Sequence, residues 1–128
     1  MKIEHVALLV EDPIAMALWY EDHLGLRTVR SGGPPADVRF LADTEGESVL
    51  ETYRGGPPLP DYRAMDPLLL HVAFATRDVP GTRARLIAAG ATPVGEIEVL
   101  PTGDEMAMLR DPWGLAIQLA HRKQSLVS

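Results

Sequence analysis

The second half of this chain repeats the first, and that repeat constrains the fold more than any other feature of the sequence. His5-Val6-Ala7 falls on His71-Val72-Ala73, and Asp12 falls on Asp78, all in one register. Short strand-helix pieces often look alike, so the order of elements has to carry the comparison. Residues 3–10 alternate and are rich in branched apolar side chains, as a strand requires, and the run stops at Glu11-Asp12-Pro13. Asp12 suits an N-cap and Pro13 a first helical position, so a helix is expected over 13–24, with Ile14, Met16, Leu18 and Trp19 on its apolar side and Gly25 at its end. The same plan recurs as a strand over 69–76, a cap at Asp78 and a helix over 79–89 closed by Gly90. Three strand candidates follow each helix, at 27–31, 38–42 and 48–53, then at 92–98, 105–110 and 115–121. The expected class is therefore α+β: two βαβββ modules, 1–54 and 68–122, whose paired sheets form a curved, cleft-enclosing surface with the helices outside. The segment 55–67, opening Gly55-Gly56-Pro57-Pro58-Leu59-Pro60, reads as the linker of a single domain spanning 1–128. A module of this size leaves one sheet face unpartnered, so paired or exchanged modules in a homodimer are expected.

With one residue added to the offset, the ends of the halves also align, and Glu51 stands against Gln118. Each half thus contributes one polar residue from its first strand and one from its last: His5 with Glu51, and His71 with Gln118. Side chains on one sheet face occupy alternate positions. His5 shares its face with Ala7, His71 with Ala73 and Ala75, and Gln118 with Ala116 and Ala120, whereas Val6, Leu8, Val72, Phe74, Ile117 and Leu119 take the opposite faces. Bulky faces suit helix packing, and small neighbours leave the space that a site needs. Taken singly, each polar residue has an ordinary structural explanation. Taken together, two imidazoles, a carboxylate and an amide oxygen at repeat-equivalent positions form a ligand set for zinc, nickel, cobalt, manganese or iron. Phe40, Tyr53, Met106, Met108 and Trp113 are the candidate substrate-binding walls. His23 reads as a helix-end histidine, His121 as a surface one, and Trp19 and Tyr20 as helix-sheet core.

Composition excludes several other chemistries. The chain lacks cysteine, which removes disulfides, thiolate nucleophiles and Cys-rich zinc sites. Its 12 basic and 18 acidic residues give a net charge of -6 with no basic stripe, so neither nucleic acid nor an anionic membrane is an expected partner. No stretch approaches a membrane span, and no leader pattern opens the sequence, so a cytoplasmic location is the default expectation.

The sequence resembles the vicinal-oxygen-chelate superfamily, which includes glyoxalase I, extradiol dioxygenases, fosfomycin-resistance enzymes and bleomycin-binding proteins. The resemblance covers nearly the whole chain. It rests on the paired modules, the histidine that opens each, Trp19-Tyr20 followed by Leu24-Gly25-Leu26, Asp111-Pro112-x-Gly114, and Ile117-Gln118-Leu119 where the family commonly has Ile-Glu-Leu. It implies a divalent metal held by His5, Glu51, His71 and Gln118. It also implies a lyase or isomerase acting on a small substrate with vicinal oxygens, in which Glu51 moves a proton next to a polarised carbonyl. Gln118 departs from the carboxylate that many members carry, which leaves Glu51 as the one obvious base. Two other readings stay open: a drug-sequestering protein of the bleomycin-resistance type without catalysis, and an extradiol-type dioxygenase.

Overall fold

Each half of the chain folds as strand, helix and three further strands in a computed structural model that describes residues 1–127. The first half holds β1 (Val6–Leu9), α1 (Pro13–Leu24), β2 (Arg27–Ser31), β3 (Arg39–Ala42) and β4 (Val49–Tyr53). A short 3-10 helix, Tyr62–Ala64, precedes β5 (Val72–Ala75), α2 (Val79–Ala88), β6 (Thr92–Val99), β7 (Glu105–Arg110) and β8 (Ala116–His121). Two compact units result, one from Met1 to Pro60 and the other beginning at Asp61. The back of the expected linker therefore belongs to the second unit. Asp61 accepts a bond from the Ala64 N–H and so starts a helical turn inside a stretch that reads as punctuation.

The two sheets share one topology. Their strand orders are β1-β4-β3-β2 and β5-β8-β7-β6, with the first and last strands of each unit parallel and the remaining neighbours antiparallel. A helix connects the first strand of each unit to the strand at the far edge, as a crossover must. Capping sets where those helices begin and end. The Asp12 carboxylate accepts the Ala15 N–H at 3.1 Å, and the Asp78 carboxylate accepts the Gly81 N–H at 2.9 Å. Gly25 closes α1 at φ 71°, a left-handed conformation that side chains other than glycine rarely take.

The buried stripe of α1 is Pro13, Met16, Ala17 and Tyr20, together with Trp19. Ile14 and Leu18, expected on that stripe, are instead 41% and 58% exposed. The spacing explains the difference: 13, 16, 17 and 20 follow the i, i+3, i+4, i+7 rule, and 14 and 18 fall on the other side. Strands β1 and β5 also start later than residues 3 and 69. Their ladders begin only where a partner is available, at Val6↔Leu50 and Val72↔Ile117. Before β5, the Asp66 carbonyl and side chain take the Leu69 and Leu68 N–H groups, which removes them from any strand.

Helix α1 lies against β2 and β3, and α2 against β6, β7 and β8. The helix-facing sides carry Leu8, Leu41 and Thr52 in the first unit and Leu109, Ile117 and Leu119 in the second, all buried. Thr52 is the polar exception. It is 1% exposed, and its hydroxyl has no hydrogen-bond partner. Its ladder-equivalent in the second unit is Leu119, because Leu8↔Thr52 corresponds to Phe74↔Leu119. A buried hydroxyl without a partner costs more than the methyl that could replace it. Thr52→Val is therefore expected to raise unfolding stability by about 1 kcal/mol. A denaturant titration showing equal or lower stability would contradict that account of the site.

Candidate functional site

Register places the four expected ligands at equivalent positions. Ala7 pairs with Glu51 across β1 and β4, and Ala73 pairs with Gln118 across β5 and β8. His5 and His71 each stand one residue before the first ladder pair, so each reaches the face of the polar residue on the neighbouring strand. The one-residue change of offset between the strand starts and strand ends is thus reproduced in the hydrogen-bonded register.

In the first unit the pair is formed. His5 Nε2 lies 3.2 Å from Glu51 Oε2, and His5 Nδ1 lies 2.6 Å from Glu4 Oε1. The ring of Phe40 meets the imidazole edge-on at 5.8 Å between centroids, and Phe40 is also the cross-strand partner of Glu51. Phe40 therefore fixes the imidazole plane from one side while Glu4 holds its second nitrogen. A carboxylate on one ring nitrogen orients a metal-binding histidine, and here it leaves Nε2 facing Glu51, the other expected ligand of this unit. The spacing suits the same purpose: two donors about 2.1 Å from one ion and 3.2 Å apart subtend about 99°, between the octahedral and tetrahedral angles.

In the second unit, His71 Nδ1 sits 2.8 Å from the Pro67 carbonyl. A carbonyl only accepts, so Nδ1 is the donor in this contact, and Nε2 is the nitrogen left to face a ligand. The turn that supplies Pro67 is itself anchored. The Arg110 guanidinium donates to the Tyr62, Met65 and Gly114 carbonyls at 2.8, 2.8 and 3.1 Å. Arg110 did not emerge as a site-shaping residue from sequence reasoning, and the available signal was a lone cation closing the apolar run Met106-Ala107-Met108-Leu109. The Asp111-Pro112-Trp113-Gly114 turn next to it is built on the Asp111 carboxylate, which accepts the Trp113 and Leu115 N–H groups at 3.0 and 2.9 Å. Gly114 has φ 95°, and an added Cβ would press on the backbone of Arg63.

None of the four expected ligands is buried; His5 is exposed, and Glu51, His71 and Gln118 are intermediate. His5 and His71 stand just before the edge strands β1 and β5. Among the described residues, no group of three or more His, Asp or Glu stands arranged around one point. Each unit thus presents a pair of donors. Of the expected wall residues, Phe40 and Met108 lie directly across from Glu51 and Gln118, and Met106 lies across from Ala120 on the same face. Tyr53 shares the Glu51 face by alternation, and Trp113 belongs to the turn before β8. The rings of His23 and Trp19 meet at a tilt of 57°, 5.2 Å between centroids, in the last turn of α1.

Residues 2–119 match the family model of the Glyoxalase/Bleomycin resistance protein/Dioxygenase superfamily, and the chain belongs to that superfamily. The fold is glyoxalase-like. It is similar to that of a glyoxalase family protein from Bacillus cereus, with TM-score 0.81 and 21% identity over 95% of this chain and 94% of that one. The antibiotic binding protein TnmS3 from Streptomyces sp. CB03234 gives TM-score 0.71 and 22% identity over 96% of this chain and 99% of that one. The fosfomycin resistance protein FosX from Listeria monocytogenes gives TM-score 0.73 and 14% identity over 98% and 95%. At these identities the likeness is one of fold. No curated protein matches the chain. Among the described residues, no helix is long and apolar enough to cross a membrane.

Proposed function

We propose that the chain is a metal-dependent lyase or isomerase for a small substrate with vicinal oxygens, with His5, Glu51, His71 and Gln118 as ligands and Glu51 as the proton-transferring group. The observation that carries this reading is the 3.2 Å approach of His5 Nε2 to Glu51 Oε2, with Glu4 behind the imidazole. The four ligands are one donor pair from each unit, and because each unit leaves a sheet face unpartnered, a homodimer that joins or exchanges units is part of the proposal. The ion, when bound, supplies positive charge that makes a C–H next to a carbonyl easier to deprotonate. Glu51 accepts and returns that proton, Gln118 orients without proton transfer, and Phe40 and Met108 cover the apolar side of the substrate.

A second reading is a binding protein that sequesters a drug without reaction, and the likeness in fold to an antibiotic binding protein favours it. Native mass spectrometry of the protein purified without added metal separates the two, because it reports metal and subunit number together. A dimer carrying zinc, nickel, cobalt or manganese is the expected result. Iron would point to the dioxygenase reading, and a metal-free protein that cannot be loaded would leave sequestration.

A further inference from the structure

The second unit holds an open cleft of about 540 Å³ that is not lined by His71 or Gln118. Its wall includes Ala75, Ala120 and Leu126, and the titratable side chains on it are Arg77, His121 and Arg122. Among the described residues, no carboxylate lines it, although the chain carries a net charge of -6. Two acidic groups next to the lining residues, Asp78 after Arg77 and Asp104 against Arg122, are already engaged. Asp78 caps α2 through the Gly81 N–H, and Asp104 accepts the Lys123 N–H at 2.8 Å while meeting Arg122 Nη1 at 3.3 Å. The Lys123 bond holds the Asp104 carboxyl below the usual carboxylate range, so it stays ionised and fixes Arg122 in place. That contact uses one of the five guanidinium N–H groups of Arg122. Among the described residues, Arg77 makes neither an ion pair nor a hydrogen bond.

We infer that this cleft binds a small organic anion, a carboxylate carried on an apolar body. A guanidinium meets a carboxylate through two parallel N–H bonds, and two of them at one opening select negative charge. The body has a surface to cover, since Leu126 is 78% exposed and faces the same cleft. The volume lies within the range of small-molecule sites. The Ala75↔Ala120 pair is two residues further along β5 and β8 than Ala73↔Gln118 and on the same face, about 7 Å away. A ligand held by the arginines therefore extends its body toward Gln118. A basic drug would meet two cations there, so the inference also narrows the sequestration reading to acidic ligands. It does not rest on the metal proposal.

Calorimetric titration of naphthoate into the full chain, with a chelator present, tests the inference. Saturable binding is expected, weakened about tenfold by Arg77→Gln, with no binding of naphthylmethylammonium. Absence of naphthoate binding, equal binding of the ammonium compound, or unchanged affinity in Arg77→Gln would overturn it. Arg77 is exposed and, among the described residues, unpaired, so its variant keeps the test valid if Arg122→Gln fails to fold. The chelator keeps the outcome separate from that of the metal experiment.

Discussion

Alanine at His5 or at His71 is expected to lower divalent-metal affinity by well over a hundredfold. The scale follows from what each imidazole does: replacing a group that only orients a ligand typically costs about 10- to 100-fold, and these residues are the proposed ligands themselves. His5 is held on both ring nitrogens, by Glu51 at 3.2 Å and by Glu4 at 2.6 Å. Its removal leaves Glu51 without its nearest partner. His71 has Nδ1 committed to the Pro67 carbonyl, so Nε2 is the one atom it can offer, and no neighbouring group on β5 replaces it. Gln118→Glu is the control of opposite sign, because a charged oxygen replaces a neutral one and metal should be retained and held more tightly. Titration with cobalt, followed by its visible absorption, measures all three. Wild-type affinity in both alanine variants would show that the ion, if one binds, sits elsewhere.

Glu51→Gln is expected to reduce turnover by about a hundredfold or more with metal still bound, the lower range for a positioned acid-base group. The amide keeps an oxygen for the ion and for His5 but has no basicity at neutral pH. Gln118 already has that composition, so the variant contains no carboxylate among the four ligands. In the proposed mechanism the proton passes through Glu51, whose exposure is intermediate and whose cross-strand partner is Phe40. The assay is turnover of an α-oxo substrate by the loaded enzyme, alongside metal content. If metal stays bound and the rate is close to that of the parent, Glu51 is a ligand alone.

The repeat, the order of elements and the equivalence of Glu51 with Gln118 could all be read in the chain, because each rests on local patterning. Alternation gives a strand and its faces, Asp followed by Pro gives a helix start, and Gly25 gives a helix end. Ile14 and Leu18 lie outside the buried side of α1 because hydrophobicity marks a residue as buriable, whereas the angle around the helix decides whether it is buried. The 3-10 turn over 62–64 was hidden in a Pro-rich stretch because Asp61 and Arg110 hold it, and Arg110 is distant in sequence.

The candidate site divides in the same way. Residue type and period placed His5 and Glu51 on one sheet face, since alternation is a property of the strand itself. The tertiary structure decided that Nε2 and Oε2 approach to 3.2 Å, that Glu4 takes the other imidazole nitrogen, and that Pro67 sets the protonated nitrogen of His71. It also gathered Arg77 and Arg122 around a cleft, although the whole chain is acidic. Net charge is a sum over residues and follows from composition, but local potential depends on which side chains the fold brings together and on which carboxylates it has already engaged.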